Sequence, residues 1–110
     1  MDILVVAAHP DDEVIGMGAT LYKLFKQKHR IHLCVATDGT GNHKKNSPEY
    51  EKISKIRRAA CIKSSNYLGI KSVDFLGFQD GHLDLTPQIE INVSIEKLIQ
   101  KYNPQIVYTT

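Results

Sequence analysis

With 110 residues, 42% of them hydrophobic and 24% charged, the chain has the composition of an ordinary globular protein and room for one domain, since domains usually run to about 100–150 residues. A formal net charge of +2 argues against nucleic acid or an anionic membrane as partner, and the basic residues cluster only at 43–45 and 55–58. Two cysteines, Cys34 and Cys61, are too few for a disulfide framework and read as buried thiols of a reducing compartment.

The first element is an apolar run at residues 3–7, ILVVA, which reads as a buried strand. Asp2 stands where a signal peptide needs a base, and the run is too short for export or a membrane span, so the expected location is the cytoplasm. The strand empties into His9-Pro10-Asp11-Asp12-Glu13. A helix follows, with Val14, Met17, Leu21, Leu24 and Phe25 on one stripe. Residues 31–37, IHLCVAT, form a second strand, and residues 38–48 the one long loop. Ser47 as N-cap and Pro48 at the first helical position open a second helix, expected to bury Ile53, Ile56, Ala60 and Tyr67 before Gly69 stops it. A third strand spans 73–76. By the same logic a third helix starts at Thr86-Pro87, stripes Ile91, Ile95, Leu98 and Ile99, and ends at Asn103-Pro104. A fourth strand covers 105–109.

Strands apolar on both faces, alternating with helices, predict an α/β fold of the Rossmann-like doubly wound type, βαβαβαβ, with a parallel sheet and right-handed crossovers. The first and fourth strands are expected side by side with helices leaving on opposite faces. That is a topological switch point, and ligands of such sheets bind outside the carboxyl ends of the strands there. His9, Asp11, Asp12 and Glu13 follow the first strand, Thr37, Asp38 and Thr40 the second, and Gln79, Asp80 and His82 the third.

Imidazole nitrogen and carboxylate oxygen are ligands for a divalent metal, and His9 and Asp12 stand three apart across a turn stiffened by Pro10. Asp11 is then left free to take a proton from an attacking water. A plainer reading makes Asp11 or Asp12 the helix N-cap, Glu13 a favourable charge at the helix dipole and His9 a turn residue. A cap needs one acid, however, and this turn has three. Gly16 and Gly18 invite a dinucleotide reading, but they fall one turn inside the helix, where close approach to sheet or ligand is the simpler function. Arg57 lies on the small, apolar face of its helix and needs an acceptor, a crevice acid, a ligand oxygen or a structural ion pair. Arg58 is expected to be solvated. Asp80-Gly81 is also a plain turn signal, and His29 and His43 read as surface residues.

The motif AHPDDEVIGMGATL, with VATDGTGN and LGFQDGHL behind it, resembles the PIG-L/LmbE-like zinc N-deacetylases, which include N-acetylglucosaminyl-phosphatidylinositol deacetylases and sugar deacetylases of mycothiol and bacillithiol synthesis. The resemblance covers essentially the whole chain. It implies zinc, or another divalent metal, as cofactor, His9 and Asp12 as metal ligands, Asp11 as general base, Arg57 as a residue lining the substrate pocket and Asp80 as a residue holding sugar hydroxyls. The implied substrate is a small amino sugar conjugate carrying an N-acetyl group. Two positions depart from the pattern: Ala60, where the family often has Glu, and Ser64, where it has Ala. The resemblance also implies a histidine-rich segment after the fourth strand that brings the third zinc ligand. The 110 residues are therefore expected to hold two thirds of a zinc site, to be weak or inactive alone, and to self-associate through apolar surface. A non-catalytic sugar or nucleotide-sugar binding module remains the alternative.

Overall fold

A computed structural model describes residues 1–41, 43–44 and 46–109. Asn42 of the second motif, Lys45 of the first basic cluster and Thr110 lie outside them. Among the described residues the elements alternate as β1 (Asp2–Ala7), α1 (Asp12–Lys26), β2 (Arg30–Thr37), α2 (Pro48–Leu68), β3 (Ser72–Phe78), a 3-10 turn (Leu83–Leu85), α3 (Gln88–Tyr102) and β4 (Ile106–Thr109). The strands form one parallel sheet in the order β3-β2-β1-β4, so β1 pairs with both β2 and β4 and the switch point lies beside it. No described helix is long and apolar enough to cross a membrane.

The period of two along each strand divides the core. Ile3, Val5, Ala7, Ile31, Leu33 and Val35 face α1 and α2 and meet Leu21, Cys61 and Ile70. Leu4 and Cys34 face the other way, toward Leu98 on α3. Covering both faces is what makes β1 and β2 continuous apolar runs. The two cysteines are free and sit on opposite faces, and burial pushes each thiol up to about 12.

Helix ends follow the punctuation. The Ser47 hydroxyl accepts the Tyr50 N–H at 3.1 Å, and Gly69 takes a left-handed φ of 76° that lets the Ile70 N–H reach the Ser65 carbonyl at 2.9 Å. Asn103, also left-handed, ends α3. At the start of α3 the N-cap position is Pro87 instead of Thr86, whose hydroxyl donates to the His82 carbonyl at 3.0 Å.

Three expectations about faces are corrected. On α2 the buried residues are Tyr50, Cys61 and Ser65, whereas Ala60 is exposed and Ile56 and Tyr67 are 59% and 75% exposed. The buried set joins the small Cys61 and Ser65 to the large Tyr50, so hydrophobic periodicity did not choose the face. On α1, Leu21 is buried with Met17 and Leu24 beside it, but Val14 and Phe25 are exposed. The Phe25 ring covers Gly69, where a Cβ would stand 2.1 Å from it. A Cβ at Gly16 would meet nothing and one at Gly18 only Val14 at 3.8 Å, so these glycines do not serve close approach to the sheet. They flank Met17, whose φ of −151° kinks α1.

At the end of the sheet away from the strand-end crevice, Asp2 accepts from Arg30 Nε and Nη2 at 2.8 and 2.7 Å and contacts His32 Nε2 at 3.0 Å. His32 also meets Ser72 and stacks on Tyr102. These hydrogen bonds, Arg30's first and then His32's, hold the Asp2 carboxyl well below the usual carboxylate range. A folded-state pKa depressed below the unfolded value adds stability that is present above about pH 4 and lost as pH falls further. Urea midpoints at neutral pH and down to about pH 2 should therefore show a shallower acid decline for Asp2→Asn than for the parent, with a lower midpoint at neutral pH. Parallel curves would exclude this pair as a source of acid lability.

Candidate metal centre

β1 ends beside β2, where the Thr37 N–H and hydroxyl both donate to the Ala8 carbonyl at 3.0 and 2.8 Å. From that fixed point the chain turns through Pro10, with the Asp11 N–H on the His9 carbonyl at 2.9 Å. Asp11 occupies the N-cap position of α1 yet makes no side-chain capping bond. The Asp12 carboxylate folds back instead: its Oδ2 accepts the His9 N–H at 3.0 Å and stands 3.3 Å from His9 Nδ1. The capping explanation of the acids thus does not describe this turn. Glu13, the third acid, is fully buried, with the Cys61 thiol 3.7 Å from Oε1 and no partner for Oε2 among the described residues. Burial raises its pKa above the usual carboxylate value.

The second loop and the end of β3 close on this turn. His9 Nε2 contacts Asp80 Oδ1 at 2.8 Å, and the Gly41 N–H donates to Asp80 Oδ2 at 2.8 Å. β3 reaches this position through an irregularity: Val35 pairs with Phe75 but Thr37 with Phe78, an extra residue accommodated at Gly77 with φ 76°. Burial lowers the His9 pKa, but Asp80 and then Asp12 outweigh it and leave it raised. For Asp80, burial raises the pKa, while the Gly41 N–H and then His9 bring it below the ordinary value.

Arg57 donates to the Gly39 carbonyl at 3.2 Å and makes an ion pair with Asp11 Oδ1 at 3.6 Å. A Cβ at Gly39 would stand 2.8 Å from the guanidinium, so the absence of a side chain there is what admits Arg57. Arg58, expected to be solvated, instead grips the buried Asp38 through Nε and Nη2 at 3.0 and 2.9 Å and lies over the Phe75 ring. Ser54 also donates to Asp38. Sequence reasoning missed this clasp because Arg58 has polar helical neighbours, and the partner lies 20 residues away at the end of a strand. The Gly41 contact carries no sequence signal at all, being made by backbone.

The structure therefore brings His9, Asp12 and Asp80 into contact, with Asp11 and Arg57 alongside. His82 stays apart from the His9 ring's contacts, with its Nδ1 3.1 Å from the Asp80 carbonyl, and His43 is exposed. His29, partly buried, meets the N-terminal amine at 3.2 Å. Thr40 is buried with its hydroxyl unpartnered among the described residues. No group of three or more His, Cys, Asp or Glu side chains is gathered for a metal among those residues. The separation of the donor pair is compatible with zinc, since two ligands at about 2.0–2.1 Å in a tetrahedral arrangement stand about 3.3 Å apart; His9 Nδ1 and Asp12 Oδ2 stand 3.3 Å apart, a distance a shared proton also spans.

The chain is 27% identical over 108 residues to the probable N-acetyl-alpha-D-glucosaminyl L-malate deacetylase 2 of Bacillus anthracis, covering 96% of this chain and 48% of that protein. It is 30% identical over 105 residues to the diacetylchitobiose deacetylase of Thermococcus kodakarensis, covering 96% of this chain and 39% of the relative. The solved N,N'-diacetylchitobiose deacetylase of Pyrococcus horikoshii superposes with a TM-score of 0.85 at 30% identity, over 96% of this chain and 39% of that one. The chain thus spans about half or less of the length of these proteins. Residues 4–110 match the PIG-L family, GlcNAc-PI de-N-acetylase, and with the doubly wound sheet and the HPDDE turn at its switch point the chain belongs to that family.

Proposed function

We propose that the chain carries part of the active site of a zinc-dependent N-deacetylase, which hydrolyses the N-acetyl group of an N-acetylglucosamine-type conjugate. The supporting observation is the 3.3 Å pair of His9 Nδ1 and Asp12 Oδ2 at the switch point, with Asp11 beside it, free of any capping bond and paired among the described residues only with Arg57 at 3.6 Å. His9 and Asp12 are the ligands in this reading, and when bound the metal supplies a Lewis acid for the amide carbonyl and acidifies water. Asp11, 51% exposed, takes the proton of the attacking water. The water oxygen adds to the acetyl carbon, the amide nitrogen takes up the proton removed from the water as the C–N bond breaks, and acetate and a free amine leave. Arg57 lines the substrate side of the turn. Asp80 accepts from His9 and from the Gly41 and Gly81 N–H groups, and the lone pair that a carboxylate keeps beyond these is the acceptor for a sugar hydroxyl.

A catalytic zinc uses three protein ligands. In this reading the third lies outside residues 1–110, which by themselves turn over weakly or not at all. A cytoplasmic setting belongs to the same proposal, supported by two buried free thiols.

The test is acetate release from glucosaminyl malate, chitobiose and inositol conjugates carrying N-acetyl groups, by protein extended to include the third ligand. Release that stops with chelator and returns with zinc is expected. No release from any of them by zinc-loaded protein overturns the enzyme, and sugar binding that ignores chelator would make the chain a binding module.

A further inference from the structure

We infer that Asp80 is a positioning residue for His9, fixing the ring's orientation and tautomer so that Nδ1 is presented toward Asp12. The inference rests on the metal reading for its purpose but on the structure for its geometry. A carboxylate only accepts hydrogen bonds, so the 2.8 Å contact between Asp80 Oδ1 and His9 Nε2 places the ring proton on Nε2. In the neutral ring this leaves the Nδ1 lone pair facing Asp12 Oδ2 at 3.3 Å. Two acceptors held face to face repel each other unless a proton or a metal ion stands between them, and in the neutral ring with its proton on Nε2 the place is open to a metal. Asp80 thus selects the tautomer whose free nitrogen is on the side of the second candidate ligand.

Asp80 is itself held. Its side chain is 17% exposed, and its second oxygen is fixed by the Gly41 N–H at 2.8 Å. The carboxylate comes from the end of β3, two strands away from β1 in the sheet, so the ring is braced by an element that does not carry it. A carboxylate behind a metal-binding imidazole raises its basicity and removes rotational freedom, and losing such a partner typically weakens metal binding about 10–100-fold. This role is separable from holding sugar hydroxyls, because it exists without substrate.

The experiment uses 15N-labelled, zinc-free protein at a pH where His9 is neutral, with long-range proton–nitrogen correlations reporting its tautomer. The Nε2–H form is expected in the parent. In Asp80→Ala a mixture or the Nδ1–H form is expected, and in Asp80→Asn, whose amide oxygen still accepts, the parent tautomer is retained. Zinc titrations without substrate should show Asp80→Ala weakened about 10–100-fold and Asp80→Asn less. Asp80→Asn also serves as the folding control, being nearly isosteric. An unchanged tautomer and unchanged zinc affinity in Asp80→Ala would overturn the inference and leave Asp80 a sugar ligand only. His9→Ala and Asp12→Ala separate the two levels. If they leave zinc affinity at the parent value, the metal reading fails, while the tautomer still decides whether Asp80 sets the ring.

Discussion

Under the proposed zinc deacetylase reading, replacing Asp11 by Asn is expected to lower the kcat of acetate release by about 10²–10⁴-fold, the usual contribution of a general base. The same change should leave zinc affinity and thermal stability close to the parent values. Asp11 occupies the N-cap position without capping the helix, and it is half exposed. Its ion pair is a single 3.6 Å contact with Arg57, whose guanidinium is also held by the Gly39 carbonyl. Exposed pairs of this kind contribute about 0–1 kcal/mol. Asn keeps the shape and an acceptor oxygen but loses the basicity, so chemistry and architecture are separated by one substitution. Measured kcat, zinc titration and thermal midpoint form the comparison. Activity within threefold of the parent would move the base elsewhere; a collapse of zinc affinity would make Asp11 a ligand.

The layout of this site was legible because its signals are local. Strands apolar on both faces, as in ILVVA and IHLCVAT, announce a covered parallel sheet. Ser47-Pro48 and Gly69 mark helix ends by their own chemistry, and the structure uses all three as read. Once helices alternate with strands, chain-crossing rules place the first strand near the reversal of order, and the HPDDE turn falls at the crevice.

What stayed hidden depends on partners far away in sequence. The buried face of α2 is set by what packs against it in the fold, and there Tyr50, Cys61 and Ser65 are buried while Ile56 and Tyr67 are exposed. Periodicity ranks hydrophobicity and cannot see distance. Arg58 is the same case for charge: its helical neighbours are polar, yet its partner Asp38 is buried at the end of β2. Arg57, by contrast, sat on an apolar face where a partner was required, and the partners are a loop carbonyl that accepts from it and Asp11 as an ion pair. A demand for a partner can be read from one helix; the identity of the partner needs the fold.

That hidden clasp carries the second large effect. Asp38→Ala should lower stability by about 2–3 kcal/mol. Asp38 is 2% exposed and takes hydrogen bonds from Ser54 and from Nε and Nη2 along one edge of the Arg58 guanidinium. Removing one partner of a fully buried ion pair costs about 3–5 kcal/mol, chiefly through the charge left behind. Here the charge left behind is Arg58, whose side chain is 39% exposed and can turn toward water, so the loss falls below that range. For a chain of this size the fall corresponds to roughly 10 °C in thermal midpoint. Adding Arg58→Met to Asp38→Ala should recover part of it, since the methionine keeps contact with Phe75 and no cation remains to be solvated. The clasp also lies at the root of the loop whose Gly39 carbonyl holds Arg57 and whose Gly41 N–H holds Asp80. Loosening that root should therefore weaken zinc binding in the single variant as well as its stability, and the double variant should restore stability more than zinc affinity, because neither replacement re-anchors the loop. Equal recovery of both would show that the loop is held by its own turn, independently of Asp38.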